Sequence, residues 1–180
     1  NPNTPSTVIN SGTIKARGDA AGTKGGLVQI TGDHVGLFGS AVVDVSGTAG
    51  GGTALIGGDF QGANGAVQNA GRTFVGKDAV IKANSLGQGD GGRVIVWSDE
   101  ATVFHGGIES RGGSGGGNGG FAEISGKAYL AFDGTVDLSA DFGQAGSVLF
   151  DPRDLTIVSA GGLDNAQVAP GDGTVLFADG

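Results

Sequence analysis

A glycine followed by four residues that alternate between variable and apolar recurs along this chain. It reads Gly26-Leu27-Val28-Gln29-Ile30, Gly52-Thr53-Ala54-Leu55-Ile56, Gly92-Arg93-Val94-Ile95-Val96, Gly120-Phe121-Ala122-Glu123-Ile124, Gly146-Ser147-Val148-Leu149-Phe150 and Gly173-Thr174-Val175-Leu176-Phe177. Successive opening glycines lie 26, 40, 28, 26 and 27 residues apart. Self-similarity at such a period marks a solenoid, whose repeats bury their apolar faces by stacking on one another. Strict alternation predicts a strand with one face inward. Val28/Ile30, Ala54/Ile56, Val94/Val96, Ala122/Ile124 and Val148/Phe150 are therefore assigned to the interior.

Spacing within a repeat adds two more strands. Phe38, Phe104 and Phe132 each lie 12 residues after an opening glycine, and Val158 holds that place in the fifth repeat. Phe74 lies 22 residues after its glycine, which implies an insertion of about ten residues within 57–73. The four phenylalanines are expected to stack along one interior wall. After each comes a glycine and a short strand, as in Ala41–Val45, Ala79–Ala83, Ile108–Ser110 and Val136–Leu138, with Thr13–Ala16 in the same set. No segment carries the 3.6-residue period or the capping pattern of a helix. The expected fold is all-β, a right-handed parallel β-helix of about five or six coils, the hand following the rule for parallel crossovers. Residues 1–180 are read as one β-helical segment, with 151–180 forming a continuing or terminal coil. Neither end shows the polar cap that a solenoid needs, so the array is expected to continue in a larger protein.

Composition narrows the class. Forty of the 180 residues are glycine, but they cluster between apolar runs instead of recurring at every third position as in collagen. A net charge of −8 and a pI near 4.4 oppose nucleic-acid binding, which needs a basic face. Without cysteine there is neither a disulfide framework nor a thiolate metal site. No apolar run approaches the length of a membrane helix, and the N-terminus carries no signal-peptide pattern, so any export signal is expected outside the segment.

The stretch Gly91-Gly92-Arg93-Val94-Ile95-Val96-Trp97-Ser98-Asp99, with Phe104-His105-Gly106-Gly107-Ile108, Gly119-Gly120-Phe121-Ala122-Glu123-Ile124-Ser125-Gly126-Lys127, Phe132-Asp133-Gly134-Thr135-Val136-Asp137 and Leu149-Phe150-Asp151-Pro152, carries a resemblance. It resembles the β-helical body of large filamentous-haemagglutinin-type exoproteins of Gram-negative bacteria and cyanobacteria, most densely from Gly91 to Ile157. The resemblance implies two-partner secretion through an outer-membrane barrel and a role in adhesion or biofilm formation. The export motifs of that family's N-terminal secretion domain are not recognisable, so the segment is assigned to the body. The family supplies no catalytic residues.

Candidate sites are few. Gly115 to Gly120 forms a formal GxGxxG, but a strand follows it where a dinucleotide site needs a helix. Gly87-Gln88-Gly89-Asp90-Gly91-Gly92 echoes a calcium-binding repeat only once, and His34 and His105 occupy different repeat positions, so neither metal nor cofactor is expected. Lys15, Asp44, Lys82, Glu109 and Asp137 should share one outward row, with alternating charges in its first four members. Glu109 and Asp137 are then adjacent carboxylates, where any glycosidase chemistry would be sought, although the chain is read as non-enzymatic. Leu27, Leu55, Ile95, Phe121, Leu149 and Leu176 form a second outward ladder, to be covered by the insertion or by a partner. Trp97 either stacks on a sugar or caps its coil.

The expected function is the shaft of a secreted adhesin-like exoprotein on the outer surface of the cell. Its expected partners are surface glycans or another cell's surface, and the secretion barrel of the parent protein. A polysaccharide-binding or polysaccharide-cleaving β-helix is one alternative. A matrix fibre assembled by end-to-end or lateral self-association is another.

Overall fold

The computed structural model describes residues 4–151. Fifteen short strands form three parallel sheets of five, so the described chain is a β-solenoid of five coils. Coil one contains β1 (Thr7–Asn10), β2 (Thr13–Lys15) and β3 (Leu27–Ile30); coil two contains β4 (His34–Leu37), β5 (Val42–Asp44) and β6 (Thr53–Ile56). Coil three contains β7 (Arg72–Val75), β8 (Val80–Lys82) and β9 (Arg93–Ser98). Coil four contains β10 (Ala101–Phe104), β11 (Gly107–Glu109) and β12 (Phe121–Gly126), and coil five β13 (Tyr129–Phe132), β14 (Thr135–Asp137) and β15 (Ser147–Leu149). The first, second and third strands of successive coils pair into the first, second and third sheets. Apart from Asp151, the continuing coil expected at 151–180, with Val158 and Leu176, lies beyond the described residues.

The assigned interior is the observed one. Ala54, Ile56, Val94, Val96, Ala122 and Ile124 of the third sheet are fully buried, as are Val43 and Ile81 of the second. The first sheet adds polar residues that the apolar pattern concealed. Thr73 and Thr102 face inward in register, and their hydroxyls donate to the Trp97 and Ser125 carbonyls at 2.7 and 2.8 Å. Buried hydroxyls satisfied in this way can occupy a core without leaving an orphaned group.

The expected phenylalanine wall divides in two. Phe104 pairs in register with Phe132 and with Val75, and Val75 pairs with Leu37, so Phe38 falls one position past the row. The corner from β3 to β4 is one residue shorter than those from the corresponding residues of β9 and β12. A one-residue shift turns a side chain to the other face of a sheet. Phe104 is buried and stacks on Phe132 with centroids 5.7 Å apart, whereas Phe38 is 41% exposed and stacks on Phe74 at 4.9 Å.

The recurring glycines have a steric cause. The turn from the second sheet to the third is pinched by a hydrogen bond within each coil, from Gly52 N–H to Val45 C=O at 2.7 Å and from Gly92 N–H to Ala83 C=O at 2.7 Å. A Cβ on Gly51 would run into the Ala83 oxygen and the Gly92 nitrogen, the two ends of the next coil's pinch bond. Gly25, Gly91 and Gly119 sit in the same way on the pinch bonds of the coils that follow them, and Ala145 holds this place in coil five. Gly51→Ala is therefore expected to lower stability by about 1–3 kcal/mol in chemical denaturation, the usual cost of overpacking. Gly65→Ala, where a Cβ meets nothing within 4 Å, should stay within about 0.5 kcal/mol of the parent.

Candidate functional site

The outer faces of the second and third sheets hold most of the residues singled out for contact. On the second sheet, alternation points Lys15, Asp44, Lys82, Glu109 and Asp137 outward in one register row. Glu109 and Asp137 are neighbours across β11 and β14, as expected. The charges do not pair straight along the row, however. Asp44 Oδ2 accepts from Arg17 Nη1 at 2.8 Å and Asp137 Oδ2 lies 3.7 Å from Arg111 Nε; only Lys82 and Glu109, 3.4 Å apart, bridge within it.

Arg17 and Arg111 lie two residues beyond Lys15 and Glu109, and so on the same face of the chain. Asp44, Glu109 and Asp137 are thus each matched to a cation on the preceding coil, and Arg17 also holds Asp19 of its own coil at 2.8 Å. Glu109 also accepts from Asn84 Nδ2 at 3.1 Å, and Asp137 from the Ser139 hydroxyl at 2.7 Å. Burial alone would push the Asp44 carboxyl up, but Ser46 and Arg17 outweigh it and hold the group below its ordinary value. The arrangement is a braced polar face, worth about 0.2–1 kcal/mol per exposed pair.

On the third sheet the structure separates the proposed outward ladder into two rows. Leu27, Thr53, Arg93, Phe121 and Ser147 share one, and Gln29, Leu55, Ile95, Glu123 and Leu149 the other. Leu176 lies outside the described residues. The insertion joins β6 to β7 and folds over both rows, with a single 3-10 turn at Phe60–Gly62. Leu55, Ile95 and Trp97 form an apolar cluster at 5%, 0% and 4% exposure, against which Val67 of the insertion and Phe121 pack. The insertion is the cover, and it places Ile95 and Trp97 in a second, smaller core. Trp97 donates from Nε1 to Asp99 Oδ1 at 3.2 Å, while Phe121 and Leu149 remain half-buried.

Glu123 holds this cover in place. It is fully buried, and both of its carboxylate oxygens accept from the Gln61 N–H, at 3.1 and 3.2 Å. Gln61 takes φ +53°, a conformation uncommon for a residue with a side chain. Arg93 lies over the Phe60 ring at 5.2 Å and the Phe121 ring at 5.9 Å, with Nη2 3.6 Å from Asp59. Burial pushes the Glu123 carboxyl above its ordinary value, and the nearby Asp151 charge adds to this; Gln61, Ser125 and Arg93 oppose it.

Glu123 stands in register between Ile95 and Leu149. Counting each repeat strictly from its glycine would have placed it in the otherwise largely apolar Leu55, Ile95, Leu149 row, a lone acid in a contact stripe. No group of three or more His, Asp or Glu residues that could hold a metal occurs among the described residues. Nor does a helix there reach the length and apolarity needed to cross a membrane.

The described chain is a parallel β-solenoid, with one side face braced by ion pairs and another sealed by an insertion. Among solved structures it is similar to the HMW1 secretion domain from Haemophilus influenzae, at 29% identity and a TM-score of 0.62. The match covers 79% of this chain but 39% of the other, so this chain spans well under half of that structure. No family model and no curated protein matches the chain. The similarity falls on a secretion domain, whereas the sequence resemblance places the segment in a β-helical body.

Glu123 supplies a pH test of the cover. A raised folded-state value means that the folded protein holds this proton more tightly than the unfolded chain. Its contribution to stability therefore rises as pH falls through the folded value and is absent above it. Glu123→Gln keeps an acceptor for Gln61 and removes the buried charge. The denaturation midpoint of the variant should exceed the parent's at pH 8, with the gap closing toward about pH 4.

Proposed function

We propose that this chain is a rigid segment of a secreted, adhesin-like exoprotein that leaves the cell through an outer-membrane barrel. The unbroken register of three sheets through five coils carries this reading. Such an array is a rod, about 4.8 Å longer for each coil, stiffened by continuous backbone ladders and a stacked core. Its work is mechanical and non-enzymatic, holding the adhesive parts of the parent protein away from the cell. Glu109 and Asp137, each matched to a cation, serve in this reading as bracing. The glycans or cell surfaces bound by the parent are met elsewhere on it.

The likeness to a secretion domain favours a second reading, in which these coils belong to the region that directs export. A register-preserving deletion distinguishes the two. Residues 6–32 make one complete coil, because Thr7 pairs with His34, and their removal leaves the insertion's contacts with Phe121 and Glu123 in place. If the segment is shaft, deleting them from the full-length protein in its producing cell should leave export to the medium within about twofold, because a solenoid coil free of the insertion's anchors is an interchangeable unit. Loss of export from a variant that still folds would replace the shaft reading with the secretion-directing one. Glycan arrays probed with the purified chain and with Glu109→Gln/Asp137→Asn should both be blank. Binding that disappears in the double variant would make the acidic face a carbohydrate site.

A further inference from the structure

Coils in a stacked array contact only their neighbours, so opening can begin at one end and proceed coil by coil. The insertion is built differently. It leaves coil two after Ile56 and enters coil three at Arg72, yet it crosses coil three to grip coil four. Phe60 meets Phe121 edge-on with centroids 5.9 Å apart, and Gln61 donates to Glu123, 62 residues further along the chain. Between these anchors, Ile95 and Trp97 of coil three are sealed against Val67.

We propose that the insertion is a strap that makes coils two, three and four open and close as one unit, and that it latches only once coil four has formed. Coil four cannot separate from coil three without also giving up the Phe60 and Glu123 contacts, and this uncovers the cluster beneath the strap. Its departure therefore costs an interface with a non-adjacent coil in addition to its own ladders. In the reverse direction, a chain that folds from its N-terminus carries an unsealed Ile95 and Trp97 until β12 is laid down. The strap acts in this way whether or not the chain is exported.

Native-state hydrogen exchange on the whole chain tests the proposal. Amides of β6, β9 and β12 should share one opening constant to within about threefold, whereas β3 opens separately. Phe60→Ala removes a strap contact without altering any ladder, and should speed exchange of β12 relative to β6 by about tenfold, the scale of one aromatic pair. Val67→Ala gives a milder separation in the same direction. Separate opening of the three strands in the unaltered chain would overturn the proposal by itself, even if a variant fails to fold. Continued joint opening in a folded Phe60→Ala protein would overturn it as well.

Discussion

Each coil turns from the second sheet to the third over a hydrogen bond that closes the turn at its base, and the preceding coil rests a glycine directly on that bond. The ladders set the coil-to-coil distance at about 4.8 Å. At that spacing the corner has no room for a side chain. Gly51 lies against the Ala83 carbonyl and Gly92 nitrogen of the coil that follows, and Gly52 against the Gly26 carbonyl of the coil before it. The pair is confined from both sides. Register, the inward rows of Val, Ile and Ala, and the alignment of the outer faces all depend on this approach. A coil lifted at the corner would lose its ladder partners on every side.

With the interior fixed in this way, the outer faces differ in how they are finished. The second sheet carries a row of charges whose acids each find a cation on the preceding coil. This satisfies the polar groups and leaves the face soluble. The third sheet carries apolar residues where a solvated face would carry polar ones, and the insertion seals Leu55, Ile95 and Trp97 while Leu27 of coil one stays 59% exposed. The outer face of the first sheet carries the exposed Phe38 stacked on the half-buried Phe74. A rod of stacked coils exposes side faces over its whole length, and bracing and sealing are two physical ways to keep such faces from aggregating.

Glu123 shows how a seal can be specific as well as apolar. An apolar strap laid on an apolar face could slide along the axis, since successive coils present similar surfaces. A buried carboxylate has a single good position, the one in which its oxygens meet the Gln61 N–H. Leaving it charged and unpaired in a dry contact would be costly. The desolvation of one acid therefore fixes the register of the strap, much as a lone polar residue fixes the register of a coiled coil.

Much of this architecture was legible in the chain itself. The glycine period gives the coils, alternation gives the inner rows of the second and third sheets, and the one long interval locates the insertion. These features repeat, and each depends only on residues close in sequence. The register across coils was less accessible. Counting from the glycines aligned Phe38 with Phe104, but a corner one residue shorter turned Phe38 outward. The outward ladder likewise mixed two rows, which hid Glu123 among its neighbours. The diagonal pairing of Arg17 with Asp44 and of Arg111 with Asp137 also needed three-dimensional placement. Local pattern thus determined that the chain coils and which residues face inward, because steric period and hydrophobic alternation act over a few residues. Only the tertiary structure decided what the insertion covers and which charge meets which, because those contacts join residues tens of positions apart whose alignment rests on the summed lengths of every corner between them.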